Sequence, residues 1–141
     1  MAKPEHKRFV LDSFALIAYF EGESGQELVT GLFERAIKGG CELFLSVVSL
    51  GEIAYIVEKE RGLPKAQETL ARIDELPISI VDVDRNLALS AAHLKAHYPI
   101  AYADCFAAAL AQSKDAVLVT QEMLKGSALA LPPLTSTKPG S

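Results

Sequence analysis

Tryptophan is absent from this 141-residue chain, and cysteine and methionine occur only twice each. The two cysteines, Cys41 and Cys105, share no short spacing with each other or with the three histidines. They read as reduced, buried thiols, not as zinc ligands. His93 and His97 stand at i, i+4, yet no Glu or Cys completes a metal motif with them. No stretch approaches the roughly 20 uninterrupted apolar residues of a membrane span. The charged start, Met-Ala-Lys-Pro-Glu-His-Lys-Arg, is followed by only Phe9 to Leu11 before Asp12. A secretory signal needs a longer apolar core, so a mature cytoplasmic sequence is expected. Positive charge is also scarce: 14 Lys+Arg stand against 18 Asp+Glu, a formal net charge of −4. That excludes nucleic-acid binding through a strong overall positive field, but not through a local basic strip beside an acidic pocket.

What is present is a globular composition, 50% apolar and 23% charged. The length suits one domain, expected over residues 1–134, with the polar stretch 135–141 as a loose tail. Phe9-Val10-Leu11 reads as a buried strand without alternation, as strands covered on both faces do. A short helix follows from Phe14 to Phe20. Ser24-Gly25-Gln26-Glu27 has the form of a capping box opening a second helix, which Gly39-Gly40 stops. Glu42 to Ser46 reads as a second strand. Ser49-Leu50-Gly51-Glu52 then opens a helix ending at Gly62, and Pro64 suits the first turn of the next, which stops before Pro77. Ile78 to Val83 gives a third strand and Asp84 the cap of another helix, closed by Pro99. Ala103 to Gln112 is an alanine-rich helix, Ala116 to Val119 a fourth strand, and Ala128 to Leu131 a candidate fifth. Strands alternating with helices imply an α/β fold: a central parallel sheet of four to five strands with helices on both faces. In such folds the functional crevice lies beyond the carboxyl ends of the strands.

Acidic residues fall at those ends. Asp12 follows the first strand, with Ser13 beside it. Glu52 is expected in the first turn after strand two. Asp104 opens the alanine-rich helix, and Glu122 follows strand four in Thr120-Gln121-Glu122. Carboxylates converging without cationic partners repel one another, and a hard divalent cation such as Mg²⁺ or Mn²⁺ is the simplest remedy. Each residue has a plainer reading as well. Asp12 suits a helix cap, Glu52 the end of a capping box, Asp104 the helix dipole, and Glu122 a solvent-facing loop. Asp104 leans away from its plain reading, because Ala103, Cys105 and Phe106 flank it and an unpaired carboxylate among apolar neighbours is costly. Ser13 and Thr120 read either as turn hydroxyls or as groups that orient a carboxylate or a metal-bound water.

In this order and spacing, Val10-Leu11-Asp12-Ser13, Glu52 within Ser49-Leu50-Gly51-Glu52-Ile53-Ala54, Tyr102-Ala103-Asp104 and Val117-Leu118-Val119-Thr120-Gln121-Glu122 resemble the PIN-domain nucleases. The resemblance covers residues 9 to about 131. It implies a three-layer PIN-like fold with Asp12, Glu52, Asp104 and Glu122 as the catalytic and metal-binding acids. Glu122 departs from the pattern, which usually has Asp there, and Met123-Leu124-Lys125 replaces the aspartate-phenylalanine pair often found beyond. A small PIN domain looks most like the VapC-type toxins of toxin–antitoxin pairs. That implies a Mg²⁺- or Mn²⁺-dependent endoribonuclease acting on tRNA or ribosomal RNA, dimeric, and inhibited by a cognate antitoxin protein.

RNA must also be held by something basic. Arg8, Lys59, Arg61 and Arg85 are the candidates, with Lys7 and Lys65 nearby; each also reads as an ordinary solvated charge. Tyr19 and Tyr55 suit base stacking but are expected in the core, and Tyr102 at the crevice rim. The helix faces bearing Leu32, Phe33, Ile53 and Ile56 are expected to supply part of a dimer or antitoxin surface, with ordinary core as the alternative. Two rival readings stand beside the nuclease. One is a catalytically degenerate scaffold acting through protein or RNA binding. The other is a phosphate-handling receiver, which needs an acceptor Asp (Asp82 or Asp84) after strand three and a Lys after the last strand, and no well-placed Lys follows. A dehalogenase-like phosphatase expects Asp-x-Asp, which Asp12-Ser13-Phe14 lacks.

Overall fold

The computed structural model describes residues 7–124. The expected fifth strand at 128–131, the domain end at 134 and the tail at 135–141 lie outside the described residues. Strand β1 (Lys7–Leu11) leads into helices α1 (Ser13–Glu21) and α2 (Gln26–Ile37). Strand β2 (Cys41–Ser46) leads into α3 (Val47–Arg61) and α4 (Leu63–Asp74), and β3 (Ser79–Val81) into α5 (Arg85–His97) and α6 (Tyr102–Ser113). Strand β4 (Val117–Val119) ends in the short α7 (Gln121–Leu124). The sheet order is β3-β2-β1-β4, and every pairing is parallel. Among the described residues no helix is long and apolar enough to cross a membrane.

The pleat divides the strand residues between two cores. Leu11, Leu43, Leu45 and Val119 face a core shared with α1 to α4, while Val10 and Phe44 face the layer of α5 and α6. The result is a three-layer sandwich whose strands are apolar on both sides. Ala107 to Ala111 are buried to the last residue, so small side chains let α6 lie close to the sheet. Leu32, Phe33 and Ile53 are buried here and Ile56 packs against them. The expected docking faces on α2 and α3 are therefore core, because four helices on one side of a narrow sheet cover one another.

Two helix starts differ from expectation. Ser46 ends β2 and also caps α3, accepting from the Val48 N–H at 3.1 Å. Ser49 is thereby buried inside the first turn, and Glu52 moves into the second. Helix α2 is capped not by Ser24 but by Gly25, in the left-handed region at φ 97°. A Cβ there would lie 2.5 Å from the Leu124 Cβ, so close packing of α7 requires glycine. The cap by Asp84 is present, its Oδ1 accepting from the Leu87 N–H at 2.8 Å.

Candidate active site

Register brings the strand ends level. Leu11 pairs with Leu45 on one side and Val119 on the other, so Asp12 and Thr120, each one residue past its strand, stand level with Ser46, the last residue of β2. The Asp12 N–H donates to the Val119 carbonyl at 3.2 Å, extending the ladder to the carboxylate-bearing residue. Asp12 also caps α1: its Oδ1 accepts from the Ala15 N–H at 2.7 Å. The capping and functional readings are thus not alternatives at this residue, since a carboxylate has further lone pairs to offer.

Asp12 is 6% exposed and Ser13 is 1% exposed. Burial pushes the Asp12 carboxyl up to about 7; the backbone N–H groups of Ala15 and Gln121 pull it down, and Asp104 and Glu122 push it further up. The Asp104 carboxyl is raised by burial, then by Glu52 and Glu122. The four acids named from sequence therefore act on one another across this edge, although they come from the β1–α1 junction, α3, α6 and α7. Glu52 faces Ser13, whose hydroxyl donates to its Oε1. Thr120 Oγ1 accepts from the Met123 N–H at 3.3 Å, which steadies the short helix carrying Glu122.

The acids gather without closing. Among the described residues no three His, Cys, Asp or Glu side chains stand close enough to hold one ion between them. The chemistry of the donors nevertheless fits a hard divalent cation. They offer oxygen only, they repel one another, and one of them is held near neutrality by burial. One contributor, the Gln121 N–H on Asp12, could not be read from residue type, because it is a backbone group whose place depends on the turn after β4.

The basic candidates are dispersed. Arg8 lies toward the opposite end of β1, its Nε 3.2 Å from Glu42 and its guanidinium donating to the Lys114 carbonyl at 3.1 Å. Arg61 ends α3 and pairs with Glu21 at 3.3 Å. Lys59 stands over the Tyr55 ring at 5.8 Å. Arg85 opens α5 beyond β3, the strand two places from β1. Tyr55, expected in the core, is instead 60% exposed, one turn from Glu52. Tyr19 packs edge-on against Phe20 and Phe33. Tyr102 is exposed and stacks near Phe106, with ring centres 4.9 Å apart.

The model of the PIN domain family matches residues 9–122, the span that runs from β1 to the fourth acid. A search of the curated proteins found no match. Among solved structures, the chain is similar to VapBC2 from Rickettsia felis bound to a promoter DNA fragment, at 19% identity and a TM-score of 0.65, covering 82% of this chain and 89% of that one. It is also similar to DNA-bound VapBC from Salmonella typhimurium, at 18% identity and a TM-score of 0.64, covering 83% and 88%. A third is Mycobacterium tuberculosis VapC20, described as a sarcin–ricin loop cleaving toxin, at 16% identity and a TM-score of 0.61, covering 78% and 85%. At these identities the likeness is one of fold.

Proposed function

The chain belongs to the PIN domain family, and from that premise we propose that it is a divalent-metal-dependent endoribonuclease, the toxin of a toxin–antitoxin pair. The observation that carries this reading is the set of four mutually repelling carboxylates at the carboxyl edge of the sheet, one of them buried. Asp12, Glu52, Asp104 and Glu122 would hold Mg²⁺ or Mn²⁺. Bound there, the cation would supply Lewis-acid activation of water near neutral pH and charge neutralisation at the phosphate.

The chain's own groups prepare for that role. The Ala15 and Gln121 N–H groups hold the Asp12 carboxyl in place and leave its other lone pairs for a ligand. Ser13 orients Glu52 through its hydroxyl. Thr120 holds the turn that presents Glu122. With the edge this acidic, an RNA phosphate cannot approach until the carboxylate charge is neutralised, so cleavage requires the metal. Among the fold neighbours, VapC20 is described as a sarcin–ricin loop cleaving toxin and one from Klebsiella pneumoniae as a toxin–antitoxin complex, which supports a structured RNA substrate, tRNA or ribosomal RNA, and a cognate antitoxin. We include a homodimer in the proposal, to be read by sedimentation.

The test is Asp104→Asn. It is expected to remain folded by circular dichroism and to lose Mn²⁺-dependent RNA cleavage by at least about a hundredfold, together with growth arrest. Wild-type protein that neither cleaves RNA nor binds Mn²⁺ would instead favour the degenerate scaffold, for which the longer, exposed Glu122 is the specific argument.

A further inference from the structure

A pocket of about 220 Å³ lies between the C-terminal half of α1, the C-terminal half of α3 and one face along the length of α4. Its lining joins two chemistries. Ile17, Phe20 and Val57 supply an apolar wall, and Arg61, Lys65 and Arg72 supply positive charge. One carboxylate, Glu21, also lines it and is paired with Arg61 at 3.3 Å. Three cations against one acid stand out in a chain whose net charge is −4. The Arg72 guanidinium sits 4.7 Å from the centre of the Phe20 ring, so charge and aromatic face are presented together. Among the described residues Lys65 pairs with the exposed Glu68, at 3.5 Å, a contact that solvent weakens and a ligand can displace.

We propose that this pocket is a second nucleotide-binding site, which takes one unpaired nucleotide of the RNA at a distance from the bond being cut. The proposal rests on the ribonuclease reading above. The pocket is too large for a bare phosphate and suits a base laid on the apolar wall with its phosphate among Lys65, Arg72 and Arg61. Helices α1 and α3 contribute to both sites. Val57 and Arg61 lie five and nine residues along α3 from Glu52, about 8 to 14 Å of helix axis. That span corresponds to roughly two to four nucleotides of a stacked strand. A strand crossing the acids is thus gripped where the surface turns positive, which answers how so acidic a protein retains RNA.

The probe is a nucleoside 5′-monophosphate titrated into full-length protein in EDTA, read on the methyl resonances of Ile17 and Val57. Shifts are expected at millimolar nucleotide, with weaker effects from the nucleoside alone or inorganic phosphate alone. Arg72→Glu is expected to abolish them and, in an Asp104→Asn background, to weaken binding of a ten-nucleotide single-stranded RNA about tenfold by anisotropy. Lys65→Glu, on a different part of α4, must act in the same direction. Unperturbed methyls overturn the proposal, as does an oligonucleotide affinity that ignores both variants. If the methyls answer only to an antitoxin peptide, the pocket is a protein-docking surface and the proposal falls. The two readings fail separately: nucleotide shifts without any wild-type cleavage leave the pocket and remove the nuclease, and cleavage without shifts does the reverse.

Discussion

Asp12 joins β1 to α1, caps that helix and carries the most perturbed carboxyl of the candidate site. Its ordinary value is 3.8 and its folded value about 7, raised chiefly by burial. In metal-free protein the unfolded chain therefore releases this proton near pH 4, while the native state keeps it until about pH 7. Stability is fully present below the lower value and is lost as pH rises through the upper one. The loss is on the order of 4 kcal/mol between pH 4 and 8. Asp12→Asn removes that component. In EDTA at pH 8 it is expected to unfold at higher urea than wild type, and at pH 4 to 5 the difference should shrink. Equal pH dependence in both proteins would contradict the assignment. Ser13 is the complementary case. Ser13→Ala removes the hydroxyl that orients Glu52 and is expected to weaken Mn²⁺ binding roughly 10- to 100-fold by calorimetry, with Ser13→Thr recovering part of it.

At the scale of elements, the junctions decide where each acid lands. Gly25 has a positive φ and touches Leu124, so α2 and the short helix bearing Glu122 are locked at one point. Gly25→Ala is expected to cost about 2 kcal/mol in chemical denaturation and to lower cleavage through α7. Nothing near Gly25 in sequence signals this, because Leu124 arrives from the far end of the fold. The Ser24 to Glu27 pattern suggested an ordinary capping box instead. The α3 start departs from the local pattern for a related reason. Ser46 and Ser49 both suit a cap, and local pattern cannot tell that β2 passes into the helix with no loop, which moves Glu52 by one turn. By contrast, the order of strands and helices through β4 was legible throughout, since Gly62, Pro64, Pro77, Asp84 and Pro99 each punctuate the chain by their own backbone chemistry. Tyr55 stands exposed against the expectation from spacing, because helical spacing gives a face its apolar residues but not its neighbours.

For the whole molecule, metal and stability are linked. A divalent cation bound only by the folded protein should raise the melting temperature at pH 8, by an amount corresponding to about 2.7 kcal/mol at a hundredfold excess over Kd. The rise should be much smaller in Asp104→Asn, and differential scanning fluorimetry with and without Mn²⁺ reads both. That the four acids would share one edge could be inferred from the alternation of strands and helices, because parallel strands all point their carboxyl ends the same way. How closely the side chains approach could not, since rotamers and a backbone donor such as the Gln121 N–H are matters of three-dimensional packing.

The pairing of β1 with β4 joins residue 9 to residue 117, and the Asp12 N–H is tied to the Val119 carbonyl. A nascent chain leaving the ribosome therefore carries Asp12 early but cannot assemble the acidic edge until β4, more than a hundred residues later, has emerged. For an enzyme proposed to cut the RNA of the translation machinery, that topology delays the hazard: the edge that would do the cutting is incomplete on the ribosome until β4 has been made.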